Sequence, residues 1–199
     1  NSEKFPLYSK PDSSYHDLVW ATGLGDLSPI AYILRMRTVP LRNLGACISP
    51  DNAWMFLQGI ETLPLRMERH CENAAKVADY LKSHPKVDWI KYPGLDDHSS
   101  AENARKYLTK GFGGMVVFGI SGGSDAGAKF INSLELLSHV ANVGDAKSLA
   151  IHPSSTTHSQ LSEDQQRDAG IPPELVRLSI GIEHVDDIIS DIDQALSKA

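Results

Sequence analysis

The run Gly114–Ile120 is the feature that most limits what this chain can fold into. It is apolar at successive positions, so both faces of the strand it predicts need burial, which places that strand in the centre of a sheet. Val87–Tyr92 and Leu175–Ile180 predict two further strands, and His139–Val143 is a candidate for another. We therefore expect a small sheet of about four strands.

Helical segments alternate with these strands, and several carry clear start or stop signals. The last segment, from Val185 to Leu196, has apolar residues at intervals of three and four, and a similar stripe runs from Ala74 to Leu81. Ser162 and Gln165 fit a capping box at the start of a short helix. The pattern predicts an α+β fold, with a small, mostly antiparallel sheet covered by helices.

The N-terminal part reads differently. Prolines, serines and glycines interrupt every periodicity in the first 25 residues, so we expect an extended arm there. Four aromatic residues within Phe5–Trp20 make this arm too apolar for a free linker. It should lie on another surface, either of its own domain or of a neighbouring subunit. Ser28 and Ser49 each precede a proline, as at a helix start, and Pro40 should kink or break the segment between them.

Charge and cysteine content exclude several classes of protein. Lys plus Arg number 19 against 25 Asp plus Glu, a net charge of −6, which argues against a nucleic-acid or anionic membrane surface. Cys47 and Cys71 cannot form a disulfide framework and match no zinc signature, so we expect a cytoplasmic protein without a metal site. Because the sequence begins with Asn1 instead of Met, we expect a piece of a longer chain.

Arg177 is the single residue that most strongly suggests a binding site. It lies in the middle of the predicted strand Leu175–Ile180, between apolar neighbours. A buried guanidinium without a partner costs several kcal/mol, so it needs either a carboxylate of its own chain or the anion of a ligand. The sequence leaves both alternatives open. A ligand carboxylate would suit it, because the planar guanidinium donates two parallel hydrogen bonds.

Two other motifs have structural as well as functional interpretations. Gly111–Gly114 could bind phosphate, but it precedes a strand and lacks the Lys-Ser/Thr of a nucleotide loop, which favours a helix stop and strand entry. Thr156–His158, close to His152 and Ser154, could hold a nucleophile and a base, but no glycine-flanked serine is present. A hydroxyl-rich loop that caps backbone groups, or one that faces a ligand, is the alternative.

Four blocks of sequence resemble the Cys/Met-metabolism family of pyridoxal-phosphate (PLP) enzymes. They are, in order, Ser49–His70 with Asn73-Ala74 after it, Ala141–Leu149, His152–His158 and Val176–Glu183. Within this family, Asn-Val-Gly-Asp-Ala-Lys and Ser-Thr-Thr-His-Ser-Gln-Leu are most similar to the O-acetylhomoserine sulfhydrylases. Cystathionine γ-synthases, cystathionine γ-lyases and methionine γ-lyases are the related alternatives.

The resemblance implies a fold type I enzyme, usually a homotetramer, in which PLP forms a Schiff base with a lysine of a large domain. That lysine would precede the Ser49 block, so Lys110 is expected to be a surface lysine and this chain to be inactive alone, with no catalytic residue of its own. Residues 1–62 would be the arm and helical tail of the large domain. Residues 63–199 would be the small C-terminal α+β domain.

Carried over by position, the resemblance also assigns a substrate site. Arg177 matches the arginine that binds the α-carboxylate of the amino-acid substrate, Asn142 matches a residue of the same pocket, and Thr157 matches a threonine that holds the arginine. The implied reaction replaces the acetate of O-acetyl-L-homoserine with sulfide or methanethiol, giving homocysteine or methionine. A stand-alone, non-catalytic module that binds amino acids is the alternative from another class.

Overall fold

A five-stranded sheet carries most of the structure from residue 58 onward. The computed structural model describes residues 3–199 in two units, one ending at Leu57 and the other spanning Gln58–Ala199. The strands are β1 (Val87–Lys91), β2 (Met115–Ile120), β3 (Ser138–His139), β4 (Leu149–Ile151) and β5 (Leu175–Ser179). Their order is β1-β2-β5-β4-β3, with antiparallel neighbours throughout except for the parallel β3–β4 pair. The predicted α+β fold with a mostly antiparallel sheet is confirmed.

Nine α-helices occur among residues 3–199. In chain order they are α1 (Pro6–Ser9), α2 (Ala31–Met36), α3 (Arg42–Leu44), α4 (Pro50–Glu61), α5 (Leu63–Lys82), α6 (Ala101–Tyr107), α7 (Gly123–Ser133), α8 (Glu163–Asp168) and α9 (Val185–Lys198). Short 3-10 helices cover Ser13–Tyr15, Gly25–Ile30 and Pro153–Ser155. None of the helices in this described range is long and apolar enough to cross a membrane.

The edge of the sheet differs from the prediction. The candidate strand His139–Val143 is shorter than expected, because only Ser138 and His139 pair with β4 and the chain then leaves the sheet. Strand β4 was missed altogether. Its three residues, Leu149–Ile151, are all buried, so they show no alternation that a pattern could reveal.

The core lies between the sheet and helices α5, α7 and α9. Phe118 of β2 and Phe130 of α7 meet edge to face, with ring centroids 5.6 Å apart, and both are fully buried. The predicted stripes of α5 and α9 face this core, as shown by the fully buried Val77 and Ile192. The capping box at Ser162 is also present at the start of α8.

The extended conformation predicted for the first 25 residues is wrong for those that the structure describes, which form short helical turns. Their packing on the chain's own N-terminal unit is one of the two surfaces that were expected. Trp20 is 1% exposed and forms a small cluster with Ala31 and Val39. The Asp12 carboxylate organises this cluster, since it accepts hydrogen bonds from Trp20 Nε1 at 2.8 Å and from Arg35 Nε at 2.9 Å. The aromatic content correctly indicated burial, and the buried residues that cluster with Trp20 lie in the same N-terminal unit but beyond the first 25 residues.

Pro40 deforms the backbone without ending the helical course. A π-helical turn over Arg37–Leu41 accommodates the proline between α2 and α3, and the left-handed Gly45 then ends α3. The boundary between the two units falls at Leu57, inside α4. The assignment of residues 1–62 to a large domain stays a prediction.

Candidate functional site

Arg177 lies on the face of the sheet opposite the core helices. Val176 and Leu178, its neighbours on β5, are fully buried in the core cluster. Because successive side chains of a strand point to opposite faces, Arg177 points away from that cluster. Its register partners are Val117 on β2 and Ile151 on β4, so it stands between two apolar side chains on this face.

The surroundings of Arg177 exclude one of the two alternatives that the sequence left open. The side chain is half-buried instead of enclosed, which corrects the prediction of a fully buried position. Within residues 3–199, no carboxylate or other group forms an ion pair or hydrogen bond with its guanidinium. The internal partner is therefore excluded for the described part of the chain, and binding of an external anion stays a prediction.

Asn142 is exposed in the loop between β3 and β4, here called the Asn142 loop (residues 140–148). Its Oδ1 accepts a hydrogen bond from the backbone N–H of Val143 at 2.8 Å. That bond fixes the amide so that the two Nδ2 hydrogens are available to an acceptor. The loop reaches β5 through Gly144, whose N–H donates to Ser179 Oγ at 3.1 Å. Asn142 thus belongs to a loop tied to β5 two residues beyond Arg177.

Thr157 forms its hydrogen bond with a residue other than Arg177. Its side chain is exposed, and Oγ1 lies 2.8 Å from Nδ1 of the adjacent His158. No hydrogen bond joins Thr157 to the arginine in the part of the chain that the structure describes. Thr157 follows Ile151, the register partner of Arg177, by six residues. Its role as a support of the arginine stays a prediction.

The hydroxyl-rich loop around His152 has a structural arrangement. His152 is fully buried, its Nε2 lies 2.6 Å from the carbonyl oxygen of Pro173, and its Nδ1 lies 2.8 Å from Ser155 Oγ. Burial lowers the pKa of this imidazole, which keeps it neutral. Thr156 Oγ1 donates to the carbonyl oxygen of His152 at 2.8 Å. These contacts support the backbone-capping interpretation over a nucleophile with its base.

Gly111–Gly114 forms a tight connection into β2. Gly111 has a φ of 140°, and a Cβ there would lie 2.7 Å from Cys71 Sγ. The carbonyl oxygen of Gly114 accepts the N–H of Ile180 at 2.8 Å, which joins this segment to the end of β5. The glycines serve close packing and strand entry, as the simpler interpretation predicted.

A network around Glu183 escaped the sequence analysis, although Glu183 lies in one of the blocks that carry the resemblance. Its carboxylate accepts hydrogen bonds from the backbone N–H and the hydroxyl of Ser148 at 2.6 and 2.9 Å. Asn73 of α5 donates to the carbonyl oxygens of Gly181 and Glu183 at 3.0 and 2.9 Å. A glutamate shortly before a helix carries no periodic signal, so only its place in the block could have indicated it.

No lysine of residues 3–199 is set up to hold an aldehyde cofactor. All are exposed except Lys86, which is half-buried and donates from Nζ to the carbonyl oxygen of Ala199 at 2.8 Å. Lys110 is exposed after α6, as expected. The same described range holds no group of three His, Cys, Asp or Glu side chains that could bind a metal.

A well-defined cavity lies away from Arg177 in sequence. It has a volume of about 680 Å³ and belongs to the N-terminal unit, where Phe5, Tyr8 and Tyr32 contribute aromatic walls. It contains no charged side chain, so nothing in it would recognise the charged groups of an amino acid. The unpaired cation of Arg177 is the stronger indicator of function.

Comparisons with known proteins identify relatives that match this chain over its whole length. A sulfhydrylase of Fusarium oxysporum, named Sulfhydrylase FUB7, is 50% identical over all of this chain, which covers 45% of that protein. The O-acetyl-L-homoserine sulfhydrylase of Leptospira meyeri is 52% identical over 98% of this chain and 46% of its own length. The chain thus spans about half the length of these relatives.

A solved structure extends the likeness to the fold. The O-acetylhomoserine (thiol)-lyase of Campylobacter jejuni, which contains a pyridoxyl-lysine 5'-monophosphate, matches 99% of this chain and 46% of its own with a TM-score of 0.82 and 41% identity. The model of the Cys/Met metabolism PLP-dependent enzymes matches residues 20–197. The chain belongs to the Cys/Met metabolism family of PLP-dependent enzymes.

Proposed function

We propose that this chain is the C-terminal part of a PLP-dependent O-acetyl-L-homoserine sulfhydrylase, which replaces the acetate of its substrate with sulfide or methanethiol to give homocysteine or methionine. The names of the similar proteins support the reaction. The chain's own contribution is a pocket for the α-carboxylate, formed by Arg177 and the side-chain amide of Asn142.

The unpaired guanidinium of Arg177 is the observation that carries this proposal. It lies between Val117 and Ile151, with no partner among residues 3–199. Apolar flanks strengthen an ion pair because they exclude water, and the planar fork holds a carboxylate in a fixed orientation. An amino acid bound in this way has its α-carbon held in one place relative to the rest of the active site.

The cofactor is assigned to the intact enzyme and not to this chain. The lysines described above are exposed or occupied, so the residues present do not by themselves fit PLP. A Schiff-base lysine supplied from outside this chain would leave it inactive alone. The contribution of residues 3–199 is then to bind and orient the substrate.

We assign Thr157 to the same pocket as a support for Arg177, and the intact enzyme to a cytoplasmic homotetramer. The free thiols of Cys47 and Cys71 fit a reducing compartment. Trp54 and Phe56 on α4 are 63% and 64% exposed, and large apolar side chains in such positions are usually covered in an assembly.

The test is a substrate comparison with the intact PLP-containing enzyme that carries this chain. O-Acetyl-L-homoserine with sulfide should yield homocysteine and one equivalent of acetate. The kcat/KM for O-acetyl-L-homoserine should be higher than the kcat/KM for cystathionine or for methionine. Turnover of cystathionine or methionine without use of O-acetylhomoserine would replace this proposal with one of the related lyases. Binding of amino acids without any turnover would favour the non-catalytic module.

A further inference from the structure

Glu183 connects the two sides of the proposed carboxylate pocket. It lies four residues beyond Ser179, the last residue of β5, and is half-buried. Its Oε1 accepts the backbone N–H of Ser148 at 2.6 Å, and its Oε2 accepts the Ser148 hydroxyl at 2.9 Å. Ser148 ends the Asn142 loop and is fully buried, so one carboxylate receives both of its donors away from water.

The backbone around Glu183 is drawn close to the same loop. The N–H of Gly181 donates to Ser148 Oγ at 2.8 Å, and the N–H of Ile182 donates to the carbonyl oxygen of Ala146 at 2.9 Å. A Cβ at Gly181 would lie 2.5 Å from both Ala146 O and Ser148 N, closer than any side chain tolerates. The contact between this segment and the loop therefore depends on glycine at 181.

Helix α5 holds the other side of Glu183. Asn73 donates from Nδ2 to the carbonyl oxygens of Gly181 and Glu183, and it is 2% exposed. His70, one turn earlier, lies with Nδ1 2.6 Å from the carbonyl oxygen of Ile180. Helix α5 thus fixes the backbone at Glu183. Because the Glu183 carboxylate bonds to Ser148, it holds Ser148 in a fixed position relative to that helix.

Toward Asn142, the Asn142 loop has few ties to the rest of the chain. Residues 140–147 are exposed throughout, and the bond from Gly144 to Ser179 is the tie nearest to Asn142. We infer that Glu183 is a positioning residue, whose bonds to Ser148 hold the Asn142 loop in place for binding of the substrate α-carboxylate. This inference rests on the proposed function, and it names Glu183 as the residue that positions one side of the proposed carboxylate pocket.

Glu183→Gln in the intact PLP-containing enzyme is the first test. Glutamine keeps the size of the side chain, but its NH2 group cannot accept a bond from Ser148. The KM for O-acetyl-L-homoserine should rise about tenfold, because the interaction lost acts on substrate binding, while kcat stays within about twofold. The KM for sulfide, which has no carboxylate, should stay unchanged.

Two companion variants separate positioning from general stability. Ser148→Ala removes the hydroxyl between Glu183 and Gly181 and should raise the same KM in the same direction. Asp191→Asn is the matched control, since its carboxylate also accepts loop N–H groups, those of residues 135–137, but outside the Asn142 loop. It should lower thermal stability without changing either KM.

Amide hydrogen exchange gives a readout that does not depend on activity. In the intact enzyme, Glu183→Gln should accelerate exchange of the amides in residues 140–148 and leave those of β2 unchanged. An unchanged KM for O-acetylhomoserine together with unchanged exchange would overturn the inference, as would a fall in kcat alone. If the wild-type enzyme used a different amino acid, the proposed function would be wrong. The positioning role of Glu183 would then be tested by the change in KM for that amino acid in Glu183→Gln.

Discussion

Gly144 donates its backbone N–H to Ser179 Oγ over 3.1 Å. Ser179 follows Arg177 by two positions, so both side chains point to the same face of β5. The bond therefore brings the Asn142 loop to the strand that carries the unpaired cation. The proposed pocket combines the side-chain amide of Asn142 with this guanidinium, although 35 residues separate them in the sequence.

Asn142→Asp should weaken substrate binding more than Asn142→Ala. Aspartate keeps the shape of the side chain but replaces the Nδ2 donor with a negative charge that faces the substrate carboxylate. We expect kcat/KM for O-acetylhomoserine to fall about tenfold for alanine and further for aspartate, since like charges brought together repel. Asn132→Asp, at an exposed position of α7, is the matched control and should leave kcat/KM unchanged. Equal effects of the two Asn142 variants would contradict the assigned amide orientation.

Gly127→Ala should destabilise the fold, although alanine favours helices. A Cβ at this position of α7 would lie 2.5 Å from the ring of His152, which hydrogen bonds hold at both nitrogens. Overpacking costs about 1–3 kcal/mol, against a gain of about 1 kcal/mol from helix propensity. Gly59→Ala in α4 has nothing within 4 Å and should be neutral or stabilising. Urea denaturation of both variants measures the difference, and a stabilising Gly127→Ala would refute the close packing of His152.

Asp191 of α9 should stabilise the fold only while it is charged. It is 6% exposed and accepts the N–H groups of Glu135, Leu136 and Leu137 at 2.8 to 2.9 Å. Burial raises the pKa of this carboxyl, but the three backbone donors and Gln194 outweigh burial, so its pKa lies below the ordinary value. The stabilisation is therefore complete above the unfolded-state pKa of about 4 and is lost as the pH falls through the lowered pKa.

Asp191→Asn provides the corresponding measurement. At pH 7 the variant should lose about 1–3 kcal/mol in the free energy of unfolding, because it leaves buried donors without their charged acceptor. The difference from the wild type should shrink as the pH is lowered below about 4. A difference that stays constant between pH 7 and pH 3 would show that the charge of Asp191 does not stabilise the native state.

The sequence predicted what depends on periodicity and missed what depends on distant partners. The stripes of α5 and α9 and the central strands β2 and β5 were all identifiable, because each element is long enough to repeat its pattern. Strand β4 has three buried residues, and the fold of the first 25 residues depends on Asp12 meeting Arg35. A short stretch of sequence reveals neither the strand nor the contact between Asp12 and Arg35.

Only one of the candidate site residues, Arg177, could be predicted from the local sequence pattern. Arg177 stood out because a charge within an apolar strand is physically costly. Asn142 and Thr157 came only from the resemblance. A hydrogen bond ties the loop of Asn142 to β5, and among the described residues none joins Thr157 to the arginine. Glu183 gave no local signal because its partner Ser148 lies 35 residues away.

The role of Arg177 is measured by the kcat/KM of Arg177→Ala in the intact PLP-containing enzyme. Lys91→Ala is the control. Val117 of β2 is the register partner of both Lys91 and Arg177, so the two cations lie on the same face of the sheet. Lys91 differs in being exposed. For O-acetyl-L-homoserine, Arg177→Ala should lose about 2–5 kcal/mol of transition-state binding. The uncharged carboxamide analogue should be little affected, and Lys91→Ala should match the wild type. A near-normal kcat/KM for Arg177→Ala with the natural carboxylate would contradict the central claim.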